Sequence, residues 1–164
     1  TRFNERFDEL WHAFAAGIGC AVDRTSAYLN WRVARHPASP YTTLAVEEGG
    51  RLIAYVIYRT AMKHDGHLGY VMEAMAMPGR QATLADLLRW VRRDLAQRGV
   101  DAIMAQCFRH SPNFGAYRRA GFWPIPDRIV PIESHFGSLA LTPAGEVSSK
   151  LENWYVSYLD SDSA

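Results

Sequence analysis

Hydrophobic residues recur at helical spacing in two stretches near the start of the chain. The first stretch predicts an amphipathic helix that ends near Gly17. Its apolar positions are Phe3, Phe7, Leu10, Trp11 and Phe14. The second stretch runs from Asp23, a suitable N-cap, to about Ala34, because the residue before Pro37 avoids the helical region. Its aromatic residues are expected to pack on a sheet, and its arginines Arg24, Arg32 and Arg35 to stay in water, in preference to contacting a substrate.

Three stretches rich in β-branched and aromatic residues follow, separated by short polar turns. They cover residues 41–47, 51–60 and 68–77. The turns contain Gly49-Gly50 and Asp65-Gly66, which are strong hairpin signals. The pattern therefore predicts an antiparallel meander.

The clearest amphipathic helix is predicted over residues 83–98, with Thr83 and Asp86 forming a capping box and Gly99 ending it. Its buried stripe is Leu84, Leu87, Leu88, Val91 and Leu95. A strand at 101–108 follows at once. A strand, a helix and a strand joined by tight turns form a crossover, so the sheet must contain a parallel pair.

A short helix with both ends marked follows this strand. Ser111 is its predicted N-cap, Pro112 its first residue, and Gly121 the left-handed residue that ends it before Phe122. A helix that begins at the carboxyl end of a strand is a usual place for an anionic ligand. After prolines that indicate a loop or an edge strand, residues 153–159 predict a final strand.

The length, net charge and composition of the chain exclude several classes of function. A chain of 164 residues fits one domain, residues 1–164, and a net charge of +1 argues against a nucleic-acid partner. No apolar run is long enough to cross a membrane, and no secretory signal pattern is present. Cys20 and Cys107 lack metal or redox spacing, which suggests core residues in a reducing, cytoplasmic compartment. The start at Thr1 suggests a processed or truncated chain with a further domain upstream.

No metal site is predicted. His64 and His67 flank a turn, but no carboxylate or cysteine cluster accompanies them, so surface turn residues are favoured over a metal pair.

This order of elements resembles the GNAT superfamily, the acetyl-CoA-dependent N-acetyltransferases. Asn113 to Phe122 is similar to the family's asparagine-to-tyrosine helix, with its Tyr-x-x-x-Gly-Phe ending at Tyr117. The strand from Gly69 to Pro78, leading through a Gly/Arg/Gln turn into the long helix, is similar to the family's fourth strand, cofactor loop and third helix. The resemblance implies an α/β (α+β) fold with a mixed, mostly antiparallel central sheet, one parallel pair and helices on both faces.

The resemblance also implies roles for individual residues. Tyr117 would be the general acid that protonates the leaving thiolate of coenzyme A, and Glu73 the general base for the amine. The backbone of Met75 to Met77 would hold the pantetheine arm, and Asn113 would contact the coenzyme. The pyrophosphate would bind at the start of the long helix, near Gly79, Arg80, Gln81 and Ala82.

One motif departs from the family pattern. The family's cofactor loop reads Arg/Gln-x-x-Gly-x-Gly/Ala, whereas residues 78–84 read Pro-Gly-Arg-Gln-Ala-Thr-Leu and lack the glycine pair that allows close approach of a pyrophosphate. The departure leaves acetyl-CoA in question as the co-substrate.

Simpler interpretations stand beside these roles. Tyr117 can be a core aromatic beside Phe114, and Glu73 a solvent-facing residue on an alternating strand. His110 is an alternative base, because the ordinary pKa of a histidine side chain suits proton transfer near neutral pH. Unranked candidates for the acceptor side are Trp31, Arg32, His135, Trp154 and Tyr155.

Three functions remain open at this stage. The first is transfer of an acetyl group from acetyl-CoA to a primary amine of a small molecule or peptide. The second is a catalytically silent GNAT-like domain that completes a substrate cleft or a dimer, as one half of a tandem protein or as a homodimer. The third is a binding module for another phosphate-bearing ligand.

Overall fold

A computed structural model describes residues 2–36, 40–63, 65–126 and 137–161. Its order of elements agrees with the predicted one in outline. The helices are α1 (Glu5–Ala15), α2 (Ser26–Leu29) continued by a π-helical turn (Asn30–Ala34), α3 (Gln81–Gln97) and α4 (Phe114–Arg119). The strands are β1 (Thr42–Glu48), β2 (Arg51–Lys63), β3 (Gly66–Ala76) and β4 (Ala102–Ala105). Short 3-10 turns follow at Pro143–Ser149, Leu151–Asn153 and Tyr158–Asp160.

The four strands form one mixed sheet in the order β1-β2-β3-β4. β1, β2 and β3 pair antiparallel as a meander, and β3 pairs parallel with β4 across α3. The predicted meander and the predicted parallel pair are therefore confirmed.

Each face of the sheet carries its own apolar core. On one face, α1 packs on residues of β2 and β3 such as Tyr55, Ile57 and Met75. On the other face, α3 and α4 pack on Ala54, Val56 and neighbouring residues. The predicted stripe of α3 is entirely buried. Helices thus cover both faces, as the resemblance implied.

Several predicted boundaries are wrong. α3 begins at Gln81 and has no side-chain cap, so Thr83 lies inside the first turn and forms no capping box. Thr25, not Asp23, caps α2, and Asp23 instead accepts a hydrogen bond from the indole N–H of Trp11 at 3.3 Å.

The C-terminal elements also differ from their predictions. α4 begins at Phe114, because residues 111–113 form a separate turn in which the Ser111 hydroxyl accepts from the N–H of Asn113 at 3.3 Å. Gly121 does end the helix in the left-handed conformation, with φ of +90°. In place of the final strand at 153–159 there is one parallel bridge, between Cys20 and Trp154.

Within the described residues, no helix is both long and apolar enough to cross a membrane.

Candidate active site

β3 and β4 separate after a short stretch of parallel pairing. The pairing runs from Leu68 and Ala102 to Val71 and Ala105, and a bulge at Met72 follows at once. A bulge bends its strand, so β3 leaves β4 at this point. In the part of the chain that the structure describes, residues 73–76 pair with β2 alone. We call the opening beside them the β3–β4 gap.

The backbone groups that face this gap belong to Ala74 and Ala76. The N–H of Met77 donates to the carbonyl of Ile53 at 2.8 Å, so Met77 points toward β2. Backbone groups alternate in direction along a strand, which turns Met75 toward β2 as well. The predicted backbone contacts of Met75 and Met77 are thus used inside the sheet, and Ala76 between them is the residue that faces the gap.

The polar groups of Ala74 are already occupied by side chains of the protein. Its N–H donates to Oε1 of Glu73 at 2.9 Å. Its carbonyl accepts from Nδ2 of Asn113 at 2.6 Å. The Tyr155 hydroxyl oxygen lies 3.2 Å from the same carbonyl, but its single proton goes to Glu73 over a shorter contact.

Glu73 is fully buried, which overturns the expectation of a solvent-facing residue. The bulge at Met72 reverses the alternation of the strand and turns Glu73 to the α1 face. Oε1 accepts from the Ala74 N–H and from the Tyr155 hydroxyl. Oε2 accepts from Nε of Arg24 at 2.6 Å and from the hydroxyl of Ser157 at 2.9 Å. An ionised carboxylate has about four acceptor positions, and protein donors fill them all.

Arg24 is also fully buried, so the expectation that it stays in water is wrong. Its guanidinium pairs with Glu73 and, at 2.5 Å through Nη2, with Asp160, and Nη1 donates to the carbonyl of Val22 at 2.7 Å. Burial works against the charge, but the two carboxylates outweigh it and raise the pKa of Arg24 above its ordinary value. We call this set of residues the Arg24 cluster: Arg24, Glu73, Tyr155, Ser157 and Asp160.

Tyr117 is a buried residue of α4, and its ring meets that of Phe122 edge to face at 5.4 Å. Burial raises the pKa of its hydroxyl well above the ordinary value, and the nearby Cys107 and Glu73 add to the rise. The hydroxyl is therefore neutral at physiological pH. Burial likewise raises the pKa of the Cys107 thiol, to about 11, so Cys107 is protonated too.

Asn113 connects α4 to the gap. It is 1% exposed, and its amide nitrogen is bonded to the Ala74 carbonyl. Its Oδ1 is buried and has no hydrogen-bond partner among the described residues. A buried amide oxygen in this state is an acceptor available to an N–H donor.

The N-terminus of α3 lies after a left-handed turn at Gly79, with φ of +81°. Its first residues, Gln81 and Ala82, carry no side-chain cap, and no acidic residue lies in the first turn. Free N–H groups at the start of a helix suit an anion. Arg80 forms an exposed ion pair with Glu48 at 2.9 Å.

The remaining sequence candidates that the structure describes include His110, Trp31 and Arg32. His110 contacts the carbonyl of Trp154 through Nε2 at 2.9 Å. Trp31 is 65% exposed, and Arg32 donates to the carbonyls of Leu159 and Ser161. His135 lies outside the described residues.

Of the two histidines that flank the turn between β2 and β3, the structure describes His67. His64 lies outside the described residues, while His67 contacts the carbonyl of Gly99 at 3.2 Å through Nδ1. Across the four described ranges, no group of three or more metal-ligating side chains is present.

Sequence reasoning missed Arg24, Ser157 and Asp160. The one sequence signal of a buried polar cluster was Glu73, a lone glutamate in an apolar strand. Nothing in the sequence around the other three residues indicates that they belong to this cluster.

Comparison with known proteins gives matches at the level of structure. No protein-family model matches the sequence, and no curated protein matches it. A protein of Thermus thermophilus, TTHA1254, has a TM-score of 0.56 at 17% identity, over 85% of this chain and 98% of that chain. The aminoglycoside acetyltransferase meta-AAC0020 from an uncultured soil metagenomic sample, in complex with sisomicin, has a TM-score of 0.57 at 9% identity, over 82% of this chain and 87% of that chain.

A further acetyltransferase gives the same picture. The aminoglycoside antibiotic 6′-N-acetyltransferase from Acinetobacter haemolyticus has a TM-score of 0.53 at 13% identity, over 84% of this chain and 95% of that chain. At these low sequence identities, the structural similarity is evidence for a shared fold. The chain therefore has the GNAT fold that its sequence predicted.

Proposed function

We propose that this protein is an N-acetyltransferase that moves an acetyl group from acetyl-CoA to a primary amine. The observation that carries the proposal is Tyr117, a buried and neutral hydroxyl on the helix that Asn113 joins to the β3–β4 gap. Aminoglycoside acetyltransferases among the structural neighbours support the reaction class.

Tyr117 supplies a proton to the leaving group in this proposal. The amine nitrogen attacks the thioester carbonyl carbon, and the carbon–sulfur bond then breaks with its electron pair on sulfur. Tyr117 donates its proton to that sulfur, which yields a free thiol, and recovers a proton from solvent. Burial keeps the hydroxyl protonated, so a proton is present on Tyr117 when the carbon–sulfur bond breaks.

We assign the amine proton to water at the open side of the gap. Glu73, the base implied by the resemblance, has protein donors on both oxygens and must release one of them before it accepts a proton. In this proposal Glu73 holds the Arg24 cluster and the Ala74 N–H in place.

The donor is proposed to lie along the gap and α3. Its pyrophosphate would meet the uncapped N–H groups at Gln81 and Ala82, beside Gly79 and Arg80. Asn113 Oδ1 would accept from an amide N–H of the pantetheine arm, since it lacks a partner among the described residues.

Replacing Tyr117 by phenylalanine tests the acid. The ring and its contact with Phe122 remain, so stability and acetyl-CoA affinity should stay near wild type, while kcat should fall about 10²–10⁴-fold. Thiol release with acetyl-CoA and a panel of primary amines, sisomicin included, measures the rate. Tyr158→Phe is the matched control. A Tyr117→Phe enzyme as fast as wild type above pH 7 would remove Tyr117 from the mechanism.

A second candidate function, the catalytically silent GNAT-like domain, is favoured by a specific observation. Both polar groups of Ala74 are held by the protein's own side chains, and Arg80 in the loop that lacks the glycine pair is paired with Glu48. Absence of acetyl-CoA binding would favour this candidate, with a role in completing a cleft or a dimer.

A further inference from the structure

Gln106 borders the β3–β4 gap, one residue beyond Ala105, the last residue of β4 that pairs with β3. Successive side chains of an extended chain point to opposite faces of a sheet. Ala105 and Cys107 both pack against the core on the α3 side, whereas Met104 packs against the core on the α1 side. The side chain of Gln106 therefore lies on the α1 face, opposite the bulge that turns Glu73 to the same face.

The amide oxygen of Gln106 is buried and has no hydrogen-bond partner among the described residues. Asn113 Oδ1 is in the same state, and across the described ranges these are the two buried side-chain oxygens without a partner. Both belong to residues that border the gap. A buried acceptor that stays unfilled lowers the stability of a folded protein. Each of the two oxygens therefore needs a hydrogen-bond donor from outside the folded chain.

The two oxygens lie on different faces of the sheet. Asn113 leads into α4, on the face that carries Tyr117 and α3, where the acyl donor is proposed to bind. Gln106 lies on the opposite face. An amine has to reach the thioester carbonyl from a side that the donor leaves open, and the α1 face of the gap is that side. Gln106 is thus placed for the acceptor of the reaction.

We propose that Gln106 binds the acceptor, with Oε1 accepting a hydrogen bond from the nitrogen of the attacking primary amine. The inference rests on the proposed function, since it concerns the acceptor of that reaction. A primary amine has two N–H bonds and one lone pair. The lone pair forms the bond to the thioester carbon, one proton leaves to water, and the other stays on the nitrogen of the amide product. Gln106 holds the N–H that stays and so directs the lone pair toward the carbon.

This contact selects primary amines over secondary ones. A secondary amine has a single N–H, whose proton leaves in the reaction, so a carbon substituent would meet Oε1 in place of a donor. The amide is also neutral, so it holds the N–H without the strong preference of a carboxylate for the ammonium form, which has no lone pair for attack. A neutral hydrogen bond is equivalent to about a three- to tenfold change in kcat/KM.

The test compares wild type with Gln106→Met, which keeps the length of the side chain and removes its oxygen. Gln97→Met is the matched control, because Gln97 is exposed at the end of α3. Thiol release from acetyl-CoA is measured with benzylamine, tyramine and propylamine, and with the N-methyl derivative of each. We expect Gln106→Met to lose about three- to tenfold in kcat/KM for the primary amines and to stay within about twofold of wild type for the N-methyl amines.

Two further measurements distinguish a contact with the acceptor from a structural role. Calorimetric titration should give Gln106→Met an affinity for acetyl-CoA within about twofold of wild type, because the donor lies on the other face. Its melting temperature should equal or exceed that of wild type, because the substitution removes a buried oxygen that has no partner in the folded protein. Gln97→Met should match wild type in all of these measurements.

The outcomes separate the inference from the proposed function. Transfer by wild type, with no loss in Gln106→Met or with equal losses for primary and N-methyl amines, overturns the role of Gln106 and leaves the proposed function intact. No transfer from acetyl-CoA to any primary amine tested, sisomicin included, overturns both. If Gln106→Met does not fold, Gln106→Asn, which withdraws the amide oxygen by one carbon–carbon bond, should show the same loss for primary amines, and full activity there overturns the inference.

Discussion

At the scale of single residues, Arg24 places a positive charge in the interior of the protein. Its guanidinium is removed from water and sits between Glu73 and Asp160. Taking a charge out of water is costly, and the pair compensates for that cost only while both partners are present. Removing one partner leaves a buried, uncompensated charge.

Arg24→Met should therefore destabilise the protein by about 3–5 kcal/mol. Urea denaturation followed by far-UV circular dichroism measures the loss. Arg6→Met is the matched control, because Arg6 pairs with Glu47 at 2.6 Å at the surface, and an exposed pair contributes about 1 kcal/mol or less. Equal losses in the two variants would contradict the account of the cluster.

Glu73 shows how far sequence reasoning reaches at this scale. A lone carboxylate in an apolar strand is a visible signal, but its direction depends on the bulge at Met72. Beyond a one-residue bulge, each residue of a strand faces the opposite side of the sheet from the one that simple alternation predicts. The sequence around Met72 contains no signal that predicts the bulge. The burial of Glu73 and its bonds with Arg24, Tyr155 and Ser157 were consequently beyond prediction.

At the scale of elements, strongly periodic segments were predictable and packing-dependent ones were not. The apolar positions of α1 and α3 predict both helices to within a few residues, because a single face repeats over several turns. The strand predicted at 101–108 is shortened to Ala102–Ala105, since its partner β3 turns away at the bulge. The strand predicted at 153–159 fails because its neighbours are side chains of the Arg24 cluster rather than a strand edge.

The end of α4 gives a prediction at this scale. Gly121 has φ of +90°, and a Cβ there would also meet the guanidinium of Arg92. Gly121→Ala should cost about 1–2 kcal/mol of unfolding free energy. Gly115→Ala, inside the same helix and with no atom near the new methyl group, should instead stabilise by about 0.4–1 kcal/mol.

Thermal unfolding of the two alanine variants measures both effects. A Gly121→Ala protein as stable as wild type would show that the left-handed turn is not required to end α4, and with it that Tyr117 does not depend on this turn for its position.

At the scale of the whole molecule, the Arg24 cluster joins three distant parts of the chain on one face of the sheet. Arg24 comes from the segment after α1, Glu73 from β3, and Ser157 and Asp160 from the C-terminal segment. The GNAT fold was expected from a resemblance to that family, on the order of elements and on the motifs at Asn113–Phe122 and Gly69–Pro78. The amine acceptor of the proposed reaction could not be predicted from the order of elements, because side chains on loops determine which acceptor binds.

The central claim is that acetyl-CoA binds in the β3–β4 gap, and calorimetric titration of acetyl-CoA into the wild-type protein tests it most directly. The account predicts saturable heat with one site, and a gain of about 2.7 kcal/mol in unfolding free energy when the ligand is at a hundred times its Kd. No heat and no change in melting temperature at millimolar acetyl-CoA would contradict it.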